Sequence, residues 1–176
     1  MQIVSGTGLT AESARAEIRG GIQSLGFRRY EYENVVINGL LDENYFSGDL
    51  EIVDDNIDLL FNGTVDLRGK DPQFDFFADI DSVDLRALNI VKDSIRFSGN
   101  FEVAGTVTPT QGIDGYARAS DVYVIRGLDQ EYVLDTIGFL SEPEDSLNHY
   151  RIVSDYIDGR IDGQLSVVSI VHKIAE

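Results

Sequence analysis

His149 and His172 are the only histidines and there is no cysteine, so nucleophilic catalysis has few places to start. A nucleophile needs a base, and the base needs an orienting group. Ser154 and Asp155 lie near His149 along the chain, but adjacent strand residues point to opposite faces and do not converge on one imidazole. Paired carboxylates of the glycosidase kind could be drawn from the 31 acidic residues. A chain this acidic produces such pairs by composition, and a solvated face accounts for them. No catalytic residue, no enzymatic activity and no cofactor is expected.

Asp54-Asp55-Asn56 and the set Asp79, Asp81, Asp84 offer the oxygen ligands that hard cations take. Neither follows the spaced acidic loop with a central glycine and a distal glutamate. Turn chemistry explains the first and strand alternation the second, so no metal site is expected. Gly6-Thr7-Gly8 is too short to cradle a phosphate. Asn62-Gly63-Thr64 is formally a glycosylation sequon, but its place inside a strand makes it coincidental.

The residues that do recur with a fixed spacing are apolar. Phe46, Gly48, Leu50 and Ile52 alternate with polar neighbours, as do Ile57, Leu59, Phe61, Gly63 and Val65. Phe74, Phe76 and Ile80 continue the pattern, followed by Ile95, Phe97, Gly99, Phe101 and Val103, and by Ile157, Gly159, Ile161, Gly163 and Leu165. Period-two alternation means half-buried strand, so these side chains form one apolar face with an acidic face behind it. Such a face can hold an acyl chain, each buried methylene contributing about 0.8 kcal/mol. The in-phase glycines Gly48, Gly63, Gly99, Gly159 and Gly163 notch that face. An interior strand glycine marks strong bending or the close approach of something else; here the notches are expected to leave room for ligand, with Val or Leu at Gly63, Gly99 or Gly163 tolerated by the fold.

Positioning these residues requires strands over 15–27, 30–41, 45–53, 57–67, 73–81, 95–107, 113–124, 131–140, 149–154 and 156–168. Residues 15–27 also carry helical spacing, but Gly20-Gly21 would cost a helix interior about 2 kcal/mol. Asp42-Glu43-Asn44, Asp54-Asp55-Asn56 and Gly69-Lys70-Asp71-Pro72 supply turn chemistry, so neighbours should pair as an antiparallel meander. Residues 83–93 read as a short helical turn, 141–146 as an exposed loop, and the start through Thr10 as a polar lead-in. Phe46-Ser47-Gly48-Asp49-Leu50-Glu51-Ile52 returns as Phe97-Ser98-Gly99-Asn100-Phe101-Glu102-Val103, a faint repeat of the kind that extends by adding hairpins. No linker divides the chain. The expectation is a single repeat-like β domain over 1–176: an all-β, curled antiparallel meander of about nine or ten strands, taco-like or open-grooved, with an apolar concave face.

The formal net charge of −17 argues against nucleic acid, whose phosphates need Lys and Arg, and against an anionic membrane surface. No stretch of about 18 apolar residues occurs, and Met1–Gly8 lacks the basic and then apolar regions of an export leader. An extracytoplasmic protein with this sequence would therefore be a fragment of a longer chain, and its two cut edges leave it open to edge-to-edge self-association.

In order along the chain, Tyr30-Glu31-Tyr32-Glu33-Asn34-Val35-Val36-Ile37-Asn38-Gly39, Phe46-Ser47-Gly48, Asp54-Asp55-Asn56-Ile57-Asp58-Leu59-Leu60-Phe61-Asn62-Gly63, Phe74-Asp75-Phe76-Phe77-Ala78-Asp79-Ile80, Asp84-Leu85-Arg86-Ala87-Leu88-Asn89 and Ser154-Asp155-Tyr156-Ile157-Asp158-Gly159 resemble the central-to-C-terminal repeat region of the TamB (translocation and assembly module) family. The family belongs to the AsmA-like superfamily, and the likeness is to its Bacteroidetes-type form. It runs from about Thr10 to Lys173 and rests on the order of these segments, none of which is diagnostic alone. The resemblance implies a periplasmic protein anchored in the inner membrane, whose hydrophobic β-groove conducts phospholipid toward the outer membrane. It also implies a role in outer-membrane biogenesis and protein assembly, with an outer-membrane β-barrel assembly protein as partner through regions outside this chain.

Two other readings stay open at this level. An ordinary β-sandwich would present the same alternation inward, although each glycine would then need a large residue opposite it. A polysaccharide-binding or adhesin-type β domain would use exposed aromatics such as Tyr116, Tyr123, Tyr132 and Tyr150.

Overall fold

A computed structural model of the chain describes residues 2–7, 15–27, 29–108, 112–144 and 147–163. Eleven strands follow one another: β1 (Gln2–Thr7), β2 (Arg15–Phe27), β3 (Tyr30–Asp42), β4 (Tyr45–Asp54), β5 (Ile57–Asp66), β6 (Gln73–Asp84), β7 (Ile95–Thr108), β8 (Gly112–Arg126), β9 (Gln130–Glu144), β10 (Leu147–Ser154) and β11 (Asp158–Gly163). They form one sheet in sequence order, each strand antiparallel to the next. The sheet does not close, because β1 and β11 each have a single neighbour. There is one sheet among the described residues, so the two facing sheets of a sandwich are absent.

The all-β open meander follows from the alternation, and β2–β11 match the ten expected strands. One strand more is present: β1 pairs with β2, Thr7 opposite Arg15, where the sequence suggested only a polar lead-in. Ser141 does not open a loop. It lies within β9, fully buried, facing Tyr150 of β10, with its hydroxyl donating to the Ile113 carbonyl. The short pairing between β9 and β10, from Leu147 opposite Glu144 onward, extends the strand through the Pro143 region. β11 begins at Asp158 rather than 156.

The apolar face keeps its continuity because strands change phase along their length. In β6 the pairing slips between Ile80 and Val83, so Asp81 and Ser82 together oppose a single stretch of β7. This bulge puts Val83, which strict alternation would expose, on the same face as Ile80; Val83 is buried. Asp121 of β8, at φ 54°, lies in a second bulge opposite Gly99 and carries the face from Ala119 to Val122. Asn34 of β3, at φ 48°, stands between Tyr32 and Val35, which share the buried cluster although the β2–β3 register runs through it without a bulge; its side chain donates to the Val53 carbonyl at 3.1 Å.

The core lies on this face, toward the β2–β3, β4–β5 and β6–β7 turns. Tyr32, Val35, Ile52, Ile57, Val83 and Leu88 are buried together, with Ile22, Ile37, Leu50, Leu59, Ile80 and Phe97 packed around them. Leu88 comes from the turn after β6, where the Asp84 carbonyl accepts from Leu88 N–H at 3.1 Å and its carboxylate accepts from Arg86 and Ala87 N–H. Of the helical turn expected over 83–93, only a hydrogen-bonded turn over 85–89 forms; Val83 and Asp84 belong to β6.

Candidate functional site

The concave face holds two apolar cavities. The first, about 370 Å³, is walled by residues of β2–β6 and the following turn, among them Leu25, Phe27, Ile37, Phe46, Leu50, Ile52, Ile57 and Leu88. No charged side chain lines it. The second, about 300 Å³, lies across β6–β9, between Phe74, Phe76, Val103, Val107, Ile113, Ala117 and Phe139. Phe61 stands between them, its ring centroid 5.7 Å from Phe46 of the first cavity and 5.3 Å from Phe76 of the second. The two cavities are thus joined by a row of aromatic rings.

Most of the expected lining residues share this surface. Leu59, Ile80 and Phe97 pack against the buried cluster, and Phe101 meets the Phe97 ring edge-on at 5.9 Å. Val65 lies between Phe46 and Phe74 in the strand register, and Ile95 opens β7 on the same side. Toward the β11 edge the surface thins. Ile161 faces Tyr150 and is half exposed; Gly159 and Gly163 lie opposite Ile152 and Asn148. Ile157 does not join the face: it lies in the turn before β11, 60% exposed, its carbonyl accepting from Ser154 N–H. Leu165 lies outside the described residues.

The glycines are not empty notches. Gly39, Gly48 and Gly63 stand in register on adjacent strands, where backbones approach so closely that no side chain fits. A Cβ added to Gly39 would come within 2.6 Å of the Ser47 carbonyl and 3.2 Å of the Phe46 ring. One added to Gly63 would lie 2.5 Å from Cα of Phe76, and the φ of +141° at Gly63 is one that L side chains rarely adopt. Gly48 meets Asn38 and Gly39 in the same way. Gly99, at φ +150°, is crowded by Val122 at 3.1 Å. The expectation that Val or Leu would be tolerated at Gly63 and Gly99 therefore fails, because the space in front of these glycines belongs to the neighbouring strand. Their role is the bend itself, the close backbone approach that curls the sheet. Gly159 keeps open room, its nearest neighbour being the Ile157 side chain at 3.8 Å.

Val35, Ile37 and Leu41, which alternate in the sequence in the same way, line the face in phase with Ile52, Leu50 and Phe46 across the register. Leu25, Phe27 and Tyr32 follow the phase shift at Asn34, which alternation does not foretell.

The rims are polar and tied. Tyr30 donates to the Asp54 carboxylate and accepts from the Asn56 side chain at 2.9 Å, while the same carboxylate accepts from Glu33 and Asn56 N–H. Burial works to raise the Asp54 carboxyl, but these hydrogen bonds outweigh it and hold it below the usual carboxylate range. Burial and the adjacent Asp54 raise the Tyr30 phenol. At the other rim Arg68 pairs with Asp66 through two hydrogen bonds, at 2.7 and 2.9 Å, and lies 4.1 Å over the Tyr45 ring; this pairing lowers Asp66 to about 2. His149 turns away from Ser154 and Asp155 and meets Asp162 at 2.6 Å. A mixed cavity of about 310 Å³ is lined by Asp55, Asp81, Asp84, Arg96 and Tyr123 together with Val83 and Phe97, and no group of three potential ligands able to hold a metal occurs among the described residues.

In comparisons with protein-family models, curated proteins and solved structures, nothing matches the chain.

Proposed function

We propose that the concave face is a conduit for phospholipid acyl chains, and that the chain is a segment of a bridge-like lipid transfer protein of the TamB kind. In this reading it works in the periplasm between inner and outer membranes, serves outer-membrane biogenesis and protein assembly, and catalyses no reaction. The observation that carries it is the first cavity, whose walls offer hydrocarbon and no charge. An occupant recognised there is apolar along its length, and its polar end must stay outside. The ring row through Phe61 extends this surface into the second cavity, as an elongated ligand requires. Side chains such as Leu25, Phe27, Ile137 and Ile152 remain more than a third exposed on the same face, a surface that soluble proteins seldom leave uncovered.

The acyl-chain reading is favoured over a carbohydrate platform because the tyrosines do not gather on one face. Tyr116 and Tyr123 point to the outer face, with Tyr116 donating to Glu102 at 2.7 Å, whereas Tyr150 is buried on the inner face against Phe139.

Mass spectrometry of organic extracts from the purified chain tests the proposal. Phospholipid or fatty acid in near-stoichiometric amount is expected, with little head-group preference. Protein that is free of lipid, and stays free after incubation with phospholipid vesicles, would overturn it.

A further inference from the structure

Leu88 and Val35 are the two large apolar side chains with no exposed surface among the described residues, and both belong to the buried cluster and line the first cavity. Leu88 arrives there from outside the sheet. The turn that carries it leaves β6 at Asp84, folds onto the face between Tyr32, Ile52, Ile57 and Val83, and returns to β7 at Ile95. Besides the Asp84 contacts, the Leu85 carbonyl accepts from Ile90 N–H at 2.9 Å and Leu85 N–H donates to Ile95 at 3.0 Å. Asn89 reaches across to donate to the Arg29 carbonyl in the β2–β3 turn at 3.4 Å. A segment tied at its base, its middle and its far side is a wall rather than a swinging lid.

We infer that the turn 85–94 is a fixed stopper, with Leu88 as its tip and Ile90 as its outer edge, that sets the length of apolar chain the first cavity accepts. This rests on the acyl-chain reading above and adds a selectivity to it. The cavity runs from the Leu41 and Phe46 end of the strands toward the Ile52, Ile57 and Val83 end, and Leu88 and Ile90 line it at the latter. A terminal methyl that enters along the strands meets Leu88. Without the turn the apolar face would continue onto Phe97, which packs against the same cluster from β7.

The test is binding of a homologous series of saturated fatty acids, medium-chain to long-chain, by displacement of a fluorescent acyl probe from the full chain. The wild type should favour one length. Leu88→Ala removes three carbons from the wall and should move that optimum longer by about two to three carbons, while Leu88→Phe should move it shorter. Ile90, being 46% exposed, can be changed to alanine with little risk to folding, so Ile90→Ala keeps the test decisive if the Leu88 variants do not fold; it should shift the optimum the same way by about one carbon. If the wild type binds the series and every folded variant keeps its length preference, the stopper is wrong and the trough stands. If the wild type binds no member of the series, the trough reading falls and the stopper with it.

Discussion

Phe76 faces Gly63 across the β5–β6 ladder, and a Cβ built on Gly63 would lie 2.5 Å from Phe76 Cα and 2.7 Å from its Cβ. The pair explains how a glycine in the middle of an apolar strand can be structural. Gly63 takes a backbone conformation that other residues rarely adopt, the two strands close up, and the Phe76 ring lies tilted against that of Phe61, 5.3 Å between centroids. Bend and aromatic row are thus two results of one pairing.

Gly63→Val should therefore destabilise the chain by about 1 to 3 kcal/mol, from strain at positive φ and from collision with β6. Gly26, also in a strand, has nothing within 4 Å of an added Cβ, and Gly26→Val should be neutral or slightly stabilising. Urea melts of the two variants check this; equal stabilities would remove the bending role from Gly63.

The architecture was legible because alternation fixes both the strand and the face it buries, and because Asp, Asn, Gly and Pro punctuate the hairpins. What alternation misses is where the phase changes. Val83 and Val122 reach the concave face only through the bulges at Asp81 and Asp121, and a single extra residue leaves no periodic signature; Tyr32 joins Val35 there across Asn34, whose φ is positive. The glycines were legible as anomalies but misread in consequence: sequence gives their phase, whereas Ser47 and Phe76 on neighbouring strands decide whether the space before them is free. Leu88 was placed on a turn correctly, but nothing local says that a turn folds back onto the sheet.

Asp121 holds φ 54° on an exposed bulge, a conformation that costs a β-branched residue more than it costs Asp or Gly. Asp121→Gly should be tolerated and Asp121→Val should lose about 1 to 2 kcal/mol. If the bulge instead slips in the valine variant, the residues after it exchange faces, and Val122 should gain exposure in hydrogen-exchange or footprinting measurements.

The Tyr30–Asp54–Asn56 tie at the rim gives the fold an acid sensitivity of known sign. A carboxyl whose folded pKa is depressed stabilises the native state fully above its unfolded value, near 3.9, and loses that contribution as pH falls through the lower folded value. Asp54→Asn should cost about 1 kcal/mol at neutral pH, and the gap to the wild type should narrow below about pH 4. A gap that is constant across this range would mean that the charge on Asp54 plays no part.

Leu60 and Phe61 are adjacent in β5 and point to opposite faces, which makes them a paired test of the conduit. Leu60 is 52% exposed on the outer face, near Phe77 and Glu51, so Leu60→Asp adds one more carboxylate to an already acidic surface and should leave acyl-probe binding unchanged. Phe61→Asp puts a charge in the aromatic row between the two cavities, where hydrocarbon cannot solvate it. It should abolish binding of a fluorescent fatty-acyl probe, while circular dichroism still reports a strand-rich fold. Loss of binding in both variants would point to a general effect of added charge, and loss in neither, with Phe61→Asp still folded, would mean that the ring row is not on the path of the ligand.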